Sequence, residues 1–316
     1  MEYFYPLVGD LMNEGAFIMY DERWKQYGTM SPETASDTLS HHETQKLHRA
    51  AHLSNQQRGR MKSLLRNNGN KLHIFLDTNG GYDSAQHSAI GLAQDMSDKG
   101  EVYLYGGNKV MSAGANIFGA NINNAKRHCL RNTSFLWHGR QIVENSTIEQ
   151  PDHAHILRLM RYYTRQLFSL LLAARKINLV QRAGAQLFSD DHAFNMELQE
   201  MFDQSPLDYL ASGDLSRFNM DGDFTATGME LQGIKGLTIH EDFDSLRKSF
   251  VKNSHMPAIR KGKEITSRMF NMSEVVWRLR EEGVDCRVIH DSDDDLSVEL
   301  DGPFQSRVTA LIAELI

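Results

Sequence analysis

Lys71-Leu-His-Ile-Phe-Leu-Asp-Thr78, followed by Asn79-Gly80-Gly81, is the stretch on which the fold turns. A run of strand-forming residues ends in a glycine turn. The next segment, Tyr82–Lys99, places Ala85, Ile90, Ala93 and Met96 at the spacing of one buried helix face. The pattern then repeats. Glu101-Val-Tyr-Leu-Tyr105 reads as a second strand ending in Gly106-Gly107, and Met111-Ser-Ala-Gly-Ala115 leads into a short helix over Ala113–Ala120. Thr133-Ser-Phe-Leu-Trp137 is a third strand, and it delivers His138. Strands alternating with helices predict a parallel sheet with crossover helices, whose chemistry sits where strands give way to turns.

The residue types at those turns suit one reaction. Ser112 stands among small residues between a strand and a helix start, where a hydroxyl is clear of bulky neighbours and developing negative charge is favoured. A serine needs a base within hydrogen-bond reach to become a nucleophile, and His138 at the end of the neighbouring strand is the candidate within this block. Gly80-Gly81 offers backbone N–H groups to a substrate oxygen with no side chain in the way, as an oxyanion hole requires. Taken singly, a serine beside glycine is an ordinary helix cap, a strand-end histidine an ordinary surface residue, and Gly-Gly an ordinary turn. Their order and spacing carry the reading.

Three of these segments, Leu76-Asp-Thr-Asn-Gly-Gly-Tyr82, Met111-Ser-Ala-Gly-Ala115 and Asn132-Thr-Ser-Phe-Leu-Trp-His138, resemble the core motifs of the Clp protease proteolytic subunit, the ClpP family of serine peptidases. The interval from Ser112 to His138, 138 − 112 = 26 residues, fits that family. A fourth segment, Phe224-Thr-Ala-Thr-Gly-Met-Glu-Leu-Gln-Gly-Ile-Lys-Gly236, resembles without gaps the family segment that follows the catalytic aspartate, and its register points to Asp221, with Asp223 as the rival. The resemblance covers about residues 15–238. It implies a crotonase-type α/β fold of repeated β-β-α turns with a long handle helix. It also implies a Ser112–His138–Asp221 triad and an oxyanion hole from the Gly81 and Ala113 N–H groups. Peptide-bond hydrolysis inside a homo-oligomeric ring follows, with a Clp-type ATPase as a possible partner and no cofactor or metal. Two departures stand out: Asn79 occupies the usual proline position, and Ala113 the usual methionine position. Ser-Ala-Gly also occurs in membrane-associated relatives with a Ser–Lys dyad, so Lys126 is a second candidate base.

Composition agrees with an ordinary soluble protein of 316 residues, net charge −7 and 41% hydrophobic residues. Cys129 and Cys286 are the two cysteines and offer no disulfide framework, which fits a reducing compartment. No secretory signal is legible at Met1-Glu-Tyr-Phe-Tyr-Pro6 and no segment approaches membrane-spanning length, so a cytoplasmic location is expected, with neither membrane nor nucleic acid as a partner. Ala16-Phe-Ile-Met-Tyr20 is the expected first strand and His42–Asn67 a helix. His48 and His52 have a metal-compatible spacing there, but on a face rich in Gln and Arg they read as solvated.

One long helix is expected over Asp152–Ala183, with an apolar stripe from Ile156 to Ile177 that a core or a second copy must bury. Between His138 and Asp221 lie roughly thirty residues more than the family pattern needs, read as added helices within Leu187–Phe218 with Asp190-Asp-His192 as a helix cap. The expected domains are 1–245 (peptidase), 246–270 (basic linker, within a basic stretch Phe243–Arg268 that an anionic partner would suit) and 271–316. The last is a small interaction module: a helix from Ser273, a hairpin of Asp285–His290 with Leu296–Leu300 around an acidic tip, and a helix over Pro303–Ile316. Two alternatives use the same residues differently: a catalytically silent scaffold of the same fold that recruits a partner through the C-terminal module, and a crotonase-fold acyl-CoA enzyme, which gives Ser112 and His138 no joint task.

Overall fold

The computed structural model describes residues 2–11, 17–21, 26–30, 71–81, 83–98, 100–138, 153–202, 215, 218, 220–254, 274, 277–278, 286–290 and 296–300. The expected helices at His42–Asn67 and Pro303–Ile316 and the acidic hairpin tip lie outside them. Over the described residues the chain is a mixed α/β structure around a curled sheet of nine strands. Strands β1 (Glu2–Leu11), β4 (Lys71–Gly81), β5 (Glu101–Met111), β6 (Lys126–Leu130) and β9 (Leu237–His240) run parallel to one another, and β2 (Phe17–Asp21) and β3 (Gln26–Met30) extend the sheet antiparallel beyond β1. The expected first strand is therefore the second. Glu2–Leu11 precedes it and pairs directly with β4.

β5 has two neighbours on the same side. Its first half pairs with β6, from Tyr103 opposite Lys126 to Gly106 opposite Cys129. Its second half pairs instead with β7 (Ser134–His138), from Lys109 opposite Ser134 to Met111 opposite Leu136. β8 (Asp223–Thr227) then joins β7 antiparallel, with Asp223 opposite His138. The sheet thus forks at the middle of β5, and the branch through β7 carries His138 toward the end of β5.

Alternation along β4 and β5 separates two layers, since successive side chains of a strand point to opposite faces. Leu72, Ile74, Leu76, Val102 and Leu104 join one buried cluster with helices α1 (Asp83–Ser97) and α2 (Ala113–Gly119), including Ile90, Ala93, Met96, Ala115, Ile117 and Phe118. Tyr163, Leu167, Phe168 and Leu171 of α3 (His153–Ala173) belong to the same cluster. Part of the expected apolar stripe is thus consumed within the chain. The single long helix is also corrected: it ends at Ala173, and α4 (Ile177–Leu187) begins afresh. Arg175 adopts φ 56°, and the N–H groups of Arg175 and Lys176 donate to the carbonyls of Leu172 and Leu171 at 2.8 and 2.9 Å, a helix-terminating pattern with arginine where glycine is usual. Within the expected insertion stands α5 (His192–Phe202), whose first turn is capped by Asp191 accepting from the Phe194 N–H at 2.9 Å.

The other face of the sheet is polar and aromatic. His73 stacks on Tyr103 with ring centroids 4.8 Å apart, and Tyr105 on His128 at 5.1 Å. Helix α6 (Phe243–Asn253) covers them, its Phe250 edge-on to His73 and Tyr105. The start of the expected linker is thus helix as far as Asn253, and its remainder, 255–270, lies outside the described residues. Phe243, Leu246 and Phe250 are fully buried, and Asp242 and Ser245 form a reciprocal capping box at the helix start. Of the basic residues that suggested a linker, Lys248 and Lys252 are exposed on the outer side of this amphipathic helix. Glu274, itself buried, pairs with Arg247 of α6 and with Arg278 at 2.8 Å, and Trp277 lies 5.9 Å from Phe243. The expected hairpin forms, β10 (Cys286–His290) against β11 (Leu296–Leu300), with Cys286 opposite Leu300. Among the described residues no helix is long and apolar enough to cross a membrane.

This polar layer makes stability depend on pH. The Asn253 amide donates to His128 Nε2 at 3.3 Å, so His128 Nδ1–H faces His240 Nε2 at 3.1 Å, with Ser249 Oγ 3.2 Å from the same Nδ1. Burial first, then the neighbouring His240, His73 and Lys126, pulls the His128 pKa down to about 4, and burial lowers that of His240 as well. A histidine whose folded pKa is depressed binds its proton more readily unfolded, so its contribution is complete above the ordinary value near 6.5 and is lost as pH falls from there toward about 4. Urea unfolding should show stability falling by roughly 2–3 kcal/mol between pH 7 and pH 4.5. His128→Gln should flatten that slope, and an equal slope in the variant would refute the assignment.

Candidate active site

Ser112 is placed by backbone geometry before any side chain acts. It joins the end of β5 to the start of α2 with φ 53° and ψ −118°, a conformation that costs a non-glycine residue on the order of 1–3 kcal/mol. Its N–H donates to the Leu136 carbonyl of β7 at 2.8 Å, and its own carbonyl accepts from the Asn116 N–H at 3.0 Å. One end of the residue is tied to the strand that carries His138, the other to the helix. Such a sharp strand-to-helix turn lifts a hydroxyl above the sheet.

His138 is the last residue of β7, and its Nε2 lies 2.6 Å from Ser112 Oγ. With the ring protonated on Nδ1, the hydroxyl donates to Nε2, the arrangement that general-base activation requires. The glycine end of β4 closes the third side. Gly80 has φ 111°, and a Cβ there would stand 2.4 Å from Ser112 Cβ and 2.9 Å from its Oγ. Only glycine fits that contact. Thr78 Oγ1 accepts the Gly80 N–H at 3.0 Å, fixing that end of the strand and committing that donor. Gly81, with φ 157°, follows as the exposed end of β4. Ala113 is the first residue of α2, where backbone N–H groups have no partner within the helix. Gly114 is pressed on Thr78, so that a Cβ would come within 2.4 Å of its methyl group.

The two candidate aspartates stand on one short segment. Asp223 opens β8 directly across the ladder from His138, and Asp221 lies two residues earlier; both are exposed. Gly222 between them is held against the end of α4, its N–H on the Leu187 carbonyl at 3.2 Å and no room for a Cβ beside the Gln186 carbonyl. Directly opposed residues on antiparallel strands share a face about 5 Å apart, which sets Asp223 beside His138 on the ladder, while Asp221 lies beyond its end.

Lys126 is not brought to this site. It begins β6 opposite Tyr103, nine residues before Ser112 along β5, a separation on the order of 20–30 Å. Burial would lower its pKa, but hydrogen bonds to Glu101 at 2.5 Å and to Tyr103 at 3.0 Å raise it, opposite to what a lysine base needs. Cys129 does not compete as a nucleophile either, because burial pushes its thiol up to about 12. Among the described residues no group of three or more histidine, cysteine or acidic side chains is arranged to hold a metal.

The sequence reading passed over the residues that tie the strands together at this site. Asp77, Asn108 and Thr133 are buried and hydrogen-bonded around the middle of β5. An aspartate directly after the apolar run Ile74-Phe-Leu76 was the available signal.

Gly80→Ala tests the contact that shapes the site. The added methyl must displace Ser112, and a shift of about 1 Å at a reacting group can cost on the order of 10²-fold in rate. Hydrolysis of an activated ester should fall by about that factor while far-UV circular dichroism is unchanged. Wild-type turnover in Gly80→Ala would show that the contact between Gly80 and Ser112 does not shape the site.

No family model matches this chain, and no curated protein does. Among solved structures it is similar to a point mutant of ClpP1 from Listeria monocytogenes, at 18% identity and TM-score 0.30, over 77% of this chain and 94% of that one. It is also similar to a mutant of the 1510-N membrane-bound stomatin-specific protease at 16% identity and TM-score 0.30, over 61% of this chain and 75% of that one. Another mutant of the same protease, in complex with a substrate peptide, matches at 18% identity and TM-score 0.30, over 61% of this chain and 71% of that one. Backbone overlap at that level adds no weight to a functional assignment, which rests on the chain's own residues.

Proposed function

We propose that this chain is a serine peptidase of the ClpP type, with Ser112 as nucleophile, His138 as general base and acid, and Asp221 as the carboxylate that orients the imidazole. The observation that carries the reading is the 2.6 Å contact between Ser112 Oγ and His138 Nε2, made by two residues at the ends of separate strands. Ser112 Oγ attacks the scissile carbonyl carbon as its proton passes to His138 Nε2, and the carbonyl oxygen becomes an oxyanion accepted by the Gly81 and Ala113 N–H groups. The C–N bond then breaks and the amine leaves with the proton from His138. Water, deprotonated by the same imidazole, hydrolyses the ester and restores the serine. Peptide rather than another acyl substrate follows from the resemblance of the four motifs, as do the homo-oligomeric ring and a Clp-type ATPase partner.

Ser112→Ala should abolish hydrolysis of a fluorogenic peptide, whereas Lys126→Ala should retain most of it, and equal loss in the lysine variant would overturn the histidine mechanism. Asp221→Asn should cost more than Asp223→Asn, up to about 10⁴-fold by comparison with well-studied triads. The opposite ranking would give the orienting role to the residue directly across from His138. Sedimentation of the wild type as an oligomer at micromolar concentration is expected. A monomer would remove the ring from the proposal and leave the site chemistry standing. Substitution of Leu167 is a poor probe of assembly, because that side chain is buried within the chain itself.

A further inference from the structure

β4 and β5 keep register from Lys71 opposite Glu101 to Leu76 opposite Gly106, then resume at Thr78 opposite Val110. One residue of β4, Asp77, thus faces three of β5: Gly107, Asn108 and Lys109. A bulge leaves backbone groups without ladder partners, and this one is where β5 changes neighbour from β6 to β7. The Asp77 carboxylate takes up the donors. Its Oδ2 accepts from the Asn108 N–H at 3.2 Å and the Asn108 side-chain amide at 2.7 Å, and its Oδ1 accepts from the Lys109 N–H at 3.1 Å. Gly107 sits so close that a Cβ would lie 2.7 Å from Asp77 Oδ2. On the acceptor side, the Thr133 hydroxyl donates to the Gly107 carbonyl at 2.7 Å while accepting the Leu130 N–H at 2.9 Å. Both side chains are almost wholly buried, Asp77 at 6% exposure and Thr133 at 0%.

We infer that Asp77 and Thr133 are positioning residues for the Ser112–His138 pair, an inference that rests on the serine-hydrolase reading. Thr133 directly precedes β7 and bonds to the bulge in β5, so it fixes the strand carrying His138 to the strand carrying Ser112. Asp77 fixes the same bulge to β4, five residues before Ser112 at Gly107 and one residue before Thr78, which holds the Gly80 N–H. All three sides of the site are referred to one bulge. A charged acceptor suits the task because it bonds three donors at once, each charge-assisted.

The test is the rate and final stoichiometry of Ser112 modification by a fluorophosphonate probe, in wild type, Asp77→Asn, the isosteric Thr133→Val and a control, Ser249→Ala, in the polar layer under α6. The wild type should reach one label per chain. Asp77→Asn and Thr133→Val should also reach one label per chain, but at least about tenfold more slowly, as for a reacting pair displaced by a fraction of an ångström. Ser249→Ala should react at the wild-type rate. Wild-type rates in both variants would overturn the inference, and so would reduced stoichiometry at an unchanged rate, the signature of partial unfolding alone. Equal slowing in Ser249→Ala would overturn it too, by showing general loosening. If Asp77→Asn yields no folded protein, Thr133→Val decides. An unlabelled wild type would instead remove the serine-hydrolase reading and the inference with it.

Discussion

Ser112 is held in a backbone conformation that residues with a side chain avoid, and much of the surrounding architecture serves to hold it there. Its N–H is bound to β7, its carbonyl to α2, and its Cβ rests on Gly80, where no side chain can intervene. Strain of this kind persists only when the surroundings over-determine it. The fork in the sheet at β5 supplies that surplus of constraint, because one strand leaves its partner β6, crosses a bulge and takes a new partner whose last residue is His138. Ser112 Oγ and His138 Nε2 thus meet at 2.6 Å through two strand ends.

The two faces of the sheet divide the remaining tasks. One is an apolar core in which α1, α2 and α3 press on β4 and β5 and fix the helix that follows Ser112. Arg127 contributes from beneath: its buried guanidinium donates to the Phe118 and Ala120 carbonyls at 2.7 and 2.6 Å, satisfying the end of α2. The opposite face is a stack of histidine and tyrosine rings sealed by α6, polar yet buried, whose donors and acceptors are matched through His128, His240, Ser249 and Asn253. Buried polar networks of this sort specify one arrangement when satisfied and weaken it when protonated.

The elements nearest the site were legible in the sequence because each had a local cause. The Lys71–Thr78 run and the Ser134–His138 strand occur close to where pattern put them, although β4 continues through Gly80-Gly81, where a turn was expected. Other elements were hidden by long-range causes. β1 contains Pro6, which cannot donate to a ladder and so argued against a strand with neighbours on both sides. β6, Lys126-Arg-His-Cys-Leu130, looks polar in sequence, yet Arg127 and His128 are buried, Arg127 on the end of α2 and His128 on groups distant in sequence. The break at Arg175 has no glycine to announce it, and α6 was masked by the basic residues on its outer side. Asp77 shows the limit most clearly: its role depends on a register shift between two strands, which no single segment encodes.

The central claim is that Ser112 Oγ is an activated nucleophile facing an oxyanion site between β4 and α2. A crystal structure with a peptide boronic acid tests it directly, because boron becomes tetrahedral only when a nucleophile adds to it. The account predicts a covalent bond from Ser112 Oγ to boron, with one boronate oxygen about 3 Å from the Gly81 and Ala113 N–H groups and another on His138 Nε2. A boronate bound elsewhere, or an unmodified Ser112 at saturating inhibitor, would contradict it.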